Sequence, residues 1–210
     1  MAKRACLIIT IWVLAVSRGP TDNWWSNHLW MPEHPSLWHI EGTEYVLRVP
    51  YPTTPPPTIY QSILQDPANG YEAAVDVKRI SGTQSDGVGL FWRRSETRCY
   101  CLLLAGGSHY TVLDDYYGPG GREITTIVPW HLSPNLHGGD WNRIAVRAEG
   151  RDHRIILNWV EDFSFTEDKQ TTGTVALTGC DSDPFEVRFR NFAFERLSAR
   201  TRVHRWTLYR

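Results

Sequence analysis

The sequence predicts an all-β fold, a sandwich of two antiparallel sheets with minimal helix. From Tyr71 onward, short segments of strand composition alternate with turns rich in glycine, proline and polar residues. No stretch of ten or more residues has the amphipathic spacing of a helix. The chain of 210 residues, with 41% hydrophobic and 21% charged residues, is long and apolar enough for one sizeable core. We therefore expect a single β-sandwich domain.

The expected strands follow one another from Glu44 to Leu197. In chain order they are EYVLRV, GYEAAVDVKRI, VGLFWRR, CYCLLL, HYTVLDD, ITTIVPW, WNRIAVRAEG, RDHRIILNWV, TGTVALTG and FEVRFRNFAFERL. The segment PYPTTPPPT, which starts at Pro50, contains five prolines and is expected to be a loop between strands. The acidic segment EDFSFTED, Glu161 to Asp168, is expected to be a solvated loop because turn residues surround it.

The apolar positions of the last expected strand change phase. They are Phe185, Val187 and Phe189 before the change, and Phe192 and Phe194 after it. Because side chains on a strand alternate between faces, a one-residue slip would turn the second group to the opposite face. A β-bulge at Arg190-Asn191 would keep both groups on the same core, and we predict one there.

The N-terminus predicts secretion. Lys3 and Arg4 precede an apolar run from Ala5 to Val16, and Ser17 closes a small-residue cleavage site. We expect residues 1–17 to be a signal peptide, with an uncleaved anchor or a buried strand as alternatives. The remaining expected divisions are an extended, Trp-rich lead-in at 18–40, the sandwich at 41–197 and a basic tail at 198–210.

The charge of the chain gives no reason to expect nucleic acid. The formal charge is −1, and removal of residues 1–17 leaves 20 basic against 23 acidic side chains, a net of −3. The basic tail is expected to be a solvated surface rather than a binding arm. After cleavage no segment is expected to cross a membrane, so the expected location is outside the cell or on its envelope, and the expected partner is a glycan or another extracellular ligand.

Three cysteines would remain after cleavage: Cys99, Cys101 and Cys180. Cys99 and Cys101 point to the same face of a strand and cannot easily bond to each other. A disulfide from Cys180 to either of them is one alternative, and two buried, inert cysteines are the other. A C-x-C pair is a weak metal signal, and the eight histidines show no H-x-H or H-x-x-x-H spacing on an expected strand, so we predict no zinc site.

Several segments, taken in order, resemble the concanavalin A-like jelly rolls, which include lectin, laminin G-like and glucanase-like domains. The segments are GYEAAVDVKRI followed by DGVGLFWRR, CYCLLL followed by HYTVL, GGDWNRIAVRAEGRDHRIILN, and GTVALTG followed by FEVRFRNFAFERL. The resemblance covers roughly residues 41 to 197. It implies a jelly-roll sandwich in which Gly87 and Gly89 allow close strand packing, Trp141 sets the edge of the core and Asn142 caps a loop.

Two departures from the pattern concern turns and acids. The family usually has Asn-Gly after the strand that ends in Asn158, whereas Trp159 follows here, so this hairpin is expected to turn differently. Arg190 stands where the family often has Asp. The paired acids of a glucanase, written E-x-D-x-x-E, are absent from the sequence.

An enzymatic relative within the fold is the 3-keto-disaccharide hydrolase-like jelly roll. It shares the W-N strand and a closing strand similar to Phe189-Arg190-Asn191. Its G-N-S-G-I-like strand is present only as Asp86-Gly87-Val88-Gly89-Leu90, and the activity is not carried over. We predict no catalytic residues and leave enzymatic activity open.

Sugar recognition needs an aromatic platform for the C–H face of the ring and polar groups for its hydroxyls. The candidate ligand residues lie in the middle of the chain: Trp92, Arg94, Tyr100, Tyr116, Tyr117, Trp130 and His131. Core packing is the alternative for each aromatic, except that Tyr116 and Tyr117 precede a Gly-Pro-Gly-Gly turn and are expected near a loop. Calcium stays open at Asp114-Asp115 and at Asp181-Ser182-Asp183, where turn chemistry is the alternative; otherwise no cofactor is expected.

The sequence thus predicts a secreted, non-catalytic carbohydrate-binding module. A hydrolase acting on a sugar or keto-sugar derivative and a structural or adhesion module are the alternatives. A binding module should present exposed aromatics with amides or arginines, whereas an enzyme should present two carboxylates that converge in a cleft.

Overall fold

The computed structural model describes residues 30–32, 35–51, 58–61, 70–83, 87–179 and 184–197. This part of the chain contains strands and a single 3₁₀ turn, Pro35–Leu37, and no α-helix. The strands are β1 (Trp30–Pro32), β2 (Trp38–Glu41), β3 (Glu44–Val49), β4 (Thr58–Gln61), β5 (Tyr71–Ser81), β6 (Val88–Arg94), β7 (Arg98–Ala105), β8 (His109–Gly118), β9 (Gly121–Leu132), β10 (Asn142–Glu149), β11 (Asp152–Leu157), β12 (Val160–Thr166), β13 (Thr174–Gly179) and β14 (Phe185–Arg196).

The strands form two antiparallel sheets of seven strands each. The first sheet has the order β1-β4-β13-β6-β7-β8-β9, and the second has the order β12-β11-β10-β5-β14-β3-β2. The predicted all-β sandwich is therefore confirmed. Strand β1 and all but the last residue of β2 lie within the expected lead-in, so the two-sheet unit begins before residue 41.

The core lies between the two sheets, where the central strands bury alternate side chains. On β10, Ile144 and Val146 are fully buried, and on β7 the inward positions include Tyr100 and Leu102. Alternation of this kind gives each sheet one face in the core and one outer face. The close approach of β6 to β7 requires Gly89, since a Cβ there would overlap the carbonyl oxygen of Leu102, as the resemblance implied.

The predicted bulge in the last strand is confirmed. The register between β14 and β5 shifts between Arg190 and Ala193, and Asn191 has a φ of +52°. Phe192 and Phe194, which follow the shift, pack against the same core as the preceding phenylalanines. The extra residue thus keeps both apolar groups on one face.

The acidic segment from Glu161 to Asp168 is not a loop, contrary to expectation. Most of it belongs to β12, which pairs with β11 at the edge of the second sheet. Phe163 and Phe165 alternate along this strand and pack against the core. The prediction was wrong because it gave weight to the charges, which an edge strand can carry on its solvated face.

The cysteines that the structure describes lie side by side. Cys99 and Cys101 are both buried as free thiols, and their Sγ atoms are 3.7 Å apart, so they share a face of β7 as predicted. Cys6, Cys180, the residues Asp181 to Asp183, the expected signal peptide and the tail 198–210 lie outside the described residues. Within the described ranges, no helix has the length and apolar character needed to cross a membrane.

Candidate functional site

Two of the predicted ligand residues are core residues. The side chains of Trp92 and Tyr100 are fully buried, and their ring centres lie 5.5 Å apart inside the sandwich. A stacking platform must expose one ring face, so neither residue can serve as one in this structure. The Nε1 of Trp92 instead donates a hydrogen bond to Nδ1 of buried His153 at 3.1 Å.

The other five predicted ligand residues do not converge. Arg94 is half-buried at the end of β6, whereas Tyr116 and Tyr117 are neighbours near the end of β8, where successive side chains point to opposite faces. Trp130 and His131 are exposed toward the other end of β9. All five belong to the first sheet, but they are spread over its two faces and both ends, and they form no common surface.

The acids Asp114 and Asp115 also point to opposite faces of β8. Asp114 lies 3.5 Å from Nε of Arg98 and 3.4 Å from Nζ of Lys169, while Asp115 accepts two hydrogen bonds from Arg122 at 2.9 and 2.8 Å. They lie in a strand rather than a turn, contrary to the expected turn chemistry. Their carboxylates do not converge, so the pair does not offer the clustered oxygens that calcium prefers.

The outer face of the second sheet carries a row of three charged side chains. In the register of the sheet, Asp76 of β5 stands between Arg143 of β10 and Arg190 of β14. Nη1 of Arg143 donates to Oδ1 of Asp76 at 2.9 Å, and Nδ2 of Asn191 donates to Oδ2 of Asp76 at 2.7 Å. The bulge that keeps the phenylalanines in the core therefore also brings an amide to the same carboxylate.

Two indoles flank this row. The guanidinium of Arg143 lies 4.6 Å from the centre of the Trp159 ring, and that of Arg190 lies 3.9 Å from the centre of the Trp141 ring. Trp159 is 70% exposed, the largest exposure among the large hydrophobic side chains that the structure describes. We call Asp76, Trp141, Arg143, Trp159, Arg190 and Asn191 the tryptophan-arginine site.

The Nε atom of Arg190 is buried without a hydrogen bond among the described residues, and it lies 3.7 Å from Oδ2 of Asp76. A buried donor without a partner loses the free energy of a hydrogen bond. Because this Nε is buried, a ligand would contact the exposed part of the Arg190 side chain, which is 36% exposed.

Unusual backbone angles concentrate around this site. Four described residues other than glycine have positive φ angles, and three of them, Asn158, Trp159 and Asn191, lie within or beside the tryptophan-arginine site. For a bulky residue such as Trp159, with a φ of +74°, this backbone region is strained. Strain that persists at several neighbouring positions is typical of functional sites.

The hairpin from β11 to β12 corrects one prediction. Leu157 pairs with Val160, so Asn158 and Trp159 form a two-residue turn, and both have positive φ angles. The chain therefore turns as an Asn-Gly hairpin would, with tryptophan at the position that favours glycine. The expected difference in turn does not occur, and the departure instead places an indole at the tip of the hairpin.

Two asparagines hold the surrounding loops. The side chain of Asn142 bonds to the backbone N–H and C=O of His137 at 2.7 and 2.8 Å, which confirms its predicted capping role. Nδ2 of Asn158 donates to Oδ1 of Asn142 at 2.9 Å and to the carbonyl oxygen of Asn135 at 2.7 Å. Trp141, in contrast, is not in the core cluster but lies against Arg190 on the outer face.

An exposed ion pair borders the site beside Trp141. Asp140 lies 3.5 Å from Nζ of Lys78, and the backbone N–H of Trp141 donates to the Asp140 carboxylate at 2.7 Å. The hydrogen bond from Trp141 and the charge of Lys78 lower the pKa of Asp140 below its ordinary value. Asp140 is therefore ionised at neutral pH and adds a second acceptor at the rim of the site.

Carboxylates do converge elsewhere on the same face, but around an arginine. Arg188 binds Glu41, Glu44 and Glu186 at 2.8 to 3.0 Å. Burial alone would raise the pKa of Glu186, yet hydrogen bonds from Arg48 and Arg188 outweigh it and lower the pKa. The hydrogen bond with His39 is the largest cause that lowers the pKa of Glu41. A general acid needs a raised pKa, so this cluster does not have the character of a glycosidase pair.

Comparisons with solved structures identify the fold as a concanavalin A-like jelly-roll β-sandwich. The carbohydrate binding module CBM66 from Bacillus subtilis is 14% identical, with a TM-score of 0.62, over 80% of this chain and 95% of that chain. A putative glycosyl hydrolase from Parabacteroides distasonis is 17% identical, with a TM-score of 0.53, over 77% and 84%. Alginate lyase A1-II′ is 8% identical, with a TM-score of 0.54, over 76% and 83%.

These similarities concern the fold alone, because one fold supports many functions. The fold is shared by carbohydrate-binding modules and by enzymes that act on sugars. No family model matches the sequence, and no curated protein matches it.

Proposed function

We propose that the protein is a carbohydrate-binding module and that the tryptophan-arginine site is its binding surface. The observation that carries the proposal is the exposed indole of Trp159 beside Arg143, Asp76 and Asn191. An exposed aromatic ring offers an apolar face to the C–H bonds of a sugar. The arginines, the carboxylate and the amide offer donors and acceptors for its hydroxyl groups.

The preorganisation of the site supports binding. Trp159 lies at the tip of a two-residue hairpin, and Asn158 ties that hairpin to the neighbouring loop through Asn142. Side chains that are already held in place lose less conformational entropy when a ligand binds. The similarity of the fold to the module CBM66 is consistent with a carbohydrate ligand.

The enzymatic alternative has weaker support at this site. Asp76 is the one carboxylate in the tryptophan-arginine site, and it already contacts Arg143 and Asn191. Glycoside hydrolysis commonly uses two carboxyl groups, one of which must be protonated. Binding without cleavage is therefore the function that these residues support best.

The test is a glycan array probed with the full chain, with and without calcium, alongside two matched variants. Trp159→Ala removes the exposed indole of the proposed site, whereas Tyr117→Ala removes an exposed ring from the other sheet. We expect Trp159→Ala to abolish binding and Tyr117→Ala to retain it.

Three other results would each contradict a different part of the proposal. Silence of the parent protein on every glycan would contradict carbohydrate binding. Loss of binding in Tyr117→Ala alone would place the site on the first sheet. Release of shortened saccharides, followed by mass spectrometry, would favour the hydrolase.

We also propose an extracellular or cell-envelope location, on the basis of the basic and then apolar N-terminus. Expression of the full chain followed by mass measurement of the exported protein tests this. Loss of residues 1–17 is the expected result, and retention of the intact chain inside the cell would contradict it.

A further inference from the structure

The outer face of the first sheet holds three potential metal ligands that the carbohydrate site does not use. The side chains of Cys99, Cys101 and Asp115 each offer one ligand atom, and these atoms all lie within 4.8 Å of one another. All three residues are buried, with exposures of 5%, 2% and 3%. They are neighbours because Cys99 pairs with Asp115 across β7 and β8, and because Cys99 and Cys101 share a face.

The spacing of the sulfur atoms fits a tetrahedral ion. Two thiolates bound at about 2.3 Å with a tetrahedral angle stand about 3.8 Å apart. The Sγ atoms of Cys99 and Cys101 are already 3.7 Å apart. The two strongest ligands would therefore need almost no movement, and only the carboxylate would have to approach.

The carboxylate retains capacity for a metal. Each oxygen of Asp115 accepts one hydrogen bond from Arg122, at 2.9 and 2.8 Å. A carboxylate has about four lone-pair positions, so acceptor sites remain. Arg122 thereby fixes the orientation of the carboxylate, as outer partners of metal ligands commonly do.

The charges balance when a divalent ion binds. Two thiols each release a proton to solvent, and the ion, the two thiolates, the Asp115 carboxylate and the Arg122 guanidinium then sum to zero. A buried group of charges is tolerated when its members compensate one another. Without Arg122 the same site would carry a net negative charge.

We propose, contrary to the sequence-based prediction of no zinc site, that Cys99, Cys101 and Asp115 form a site for a thiophilic divalent ion such as Zn²⁺. Two sulfur ligands favour this class over calcium or magnesium, which prefer oxygen. Three protein ligands leave the fourth tetrahedral position for water or another small ligand. Phe91 and Leu113, which pair with Cys101 on the neighbouring strands, provide an apolar surrounding.

The test uses Co²⁺ as a spectroscopic probe on the full chain, kept reduced with a phosphine so that no added thiol competes. We expect one Co²⁺ per chain, with thiolate charge-transfer absorption and the intense visible bands of tetrahedral cobalt. Zn²⁺ should displace the cobalt and release two protons per ion, measured in a weakly buffered solution with a pH indicator.

Variants assign the ligands. Cys99→Ser and Cys101→Ser should each weaken binding by more than about 100-fold, since loss of an outer partner alone commonly costs 10 to 100-fold. Asp115→Asn should keep the sulfur bands but weaken binding by about 10 to 100-fold. Cys180→Ser is the matched control and should bind as the parent does. Circular dichroism without metal establishes that each variant is folded.

Two results would overturn the proposal. One is the absence of thiolate bands in the reduced parent protein. The other is parent-like binding by a folded variant in which both Cys99 and Cys101 are serine, because the ion would then be held elsewhere.

Discussion

The guanidinium carbon of Arg190 lies 3.9 Å from the centre of the Trp141 ring, although Arg190 is on β14 and Trp141 directly precedes β10, and strand β5 lies between these two strands. The β-bulge at Asn191 adjoins Arg190, and its amide bonds to Asp76 on the intervening strand β5. The β-bulge therefore keeps the phenylalanines of β14 in the core and also brings the amide of Asn191 to Asp76 on the outer face. This geometry makes the contribution of Arg190 to ligand binding separable from its contribution to stability.

Arg190→Ala should weaken saccharide binding by about 10-fold or more, because a hydrogen bond to a charged donor contributes about 1.5 to 3 kcal/mol. Its effect on the free energy of unfolding should be about 1 kcal/mol, because it removes a partly exposed ion pair with Asp76 and the contact with the Trp141 ring. Isothermal titration calorimetry with an array-identified glycan, together with urea unfolding, measures both.

The control is Arg188, two residues earlier on the same strand. Arg188→Ala removes the partner of Glu41, Glu44 and Glu186 and should lower the free energy of unfolding by about 1 kcal/mol. It should leave binding unchanged. Equal loss of binding in both variants would mean that the strand, and not Arg190, is what the ligand requires.

Trp159 is expected to contribute to saccharide binding while its backbone conformation lowers the stability of the fold. Both Trp159→Ala and Trp159→Gly remove the indole and its contact with Arg143, but only glycine relieves the positive φ angle of +74°. The glycine variant should therefore be more stable than the alanine variant by about 1 kcal/mol, while neither binds saccharide. Urea unfolding of both variants measures the difference, and equal stabilities would show that the turn is unstrained.

The all-β architecture could be predicted from the sequence because it depends on the alternation of apolar side chains along each strand and on the turn residues between strands. The phase change between Phe189 and Phe192 predicted the bulge correctly, since only a bulge keeps all the phenylalanines in the core. The same kind of reasoning failed for Glu161 to Asp168, where four acids obscured the alternation of Phe163 and Phe165.

The candidate site was harder to predict because it depends on register. Nothing local shows that Asp76 faces both Arg143 and Arg190, which are 67 and 114 positions away along the chain. The departure at Trp159 is visible in the sequence, but it predicts a change of turn and not an indole at the tip of a hairpin. A tryptophan where the turn favours glycine was the available signal.

Asn158 should act as a positioning residue for Trp159. Its side chain accepts a hydrogen bond from the backbone N–H of Arg143 at 2.8 Å and donates to Asn142 and Asn135. Asn158→Gly keeps the backbone freedom but removes these bonds, and each polar group left without a partner costs about 1 to 3 kcal/mol. We expect a loss of stability of about 2 kcal/mol and weaker binding without any loss of the indole.

Two readouts separate positioning from a general loss of fold. The fluorescence of Trp159, isolated as the difference between each protein and its Trp159→Phe counterpart, should change in Asn158→Gly. Asn158→Asp keeps the acceptor for Arg143 and should recover part of the stability. Parent-like affinity in a destabilised Asn158→Gly protein would contradict the positioning role.

The stability of the fold should depend on pH through His153, which is fully buried beside Trp92 and Arg93. Its Nδ1 accepts from the indole, so its Nε2 carries the proton and donates to the carbonyl oxygen of Glu167 at 3.1 Å. Burial, and then the charge of Arg93, lower the pKa of His153 to about 4 from an ordinary value of 6.5. The folded protein therefore keeps this imidazole neutral where the unfolded chain protonates it.

The sign of the effect follows from the protons bound. Between pH 6.5 and pH 4 the unfolded chain binds more protons at His153, so the stabilisation is complete above pH 6.5 and is lost as the pH falls toward 4. At about 1.4 kcal/mol for each pKa unit, the loss amounts to about 3 kcal/mol.

Urea unfolding at pH 7.5 and pH 4.5 measures most of this loss of stability. His153→Gln should be less stable at pH 7.5 but should lose less on acidification, whereas His109→Gln controls for removal of an exposed imidazole. A His153 ring signal that titrates near pH 6.5 in NMR spectra of the folded protein would contradict the prediction.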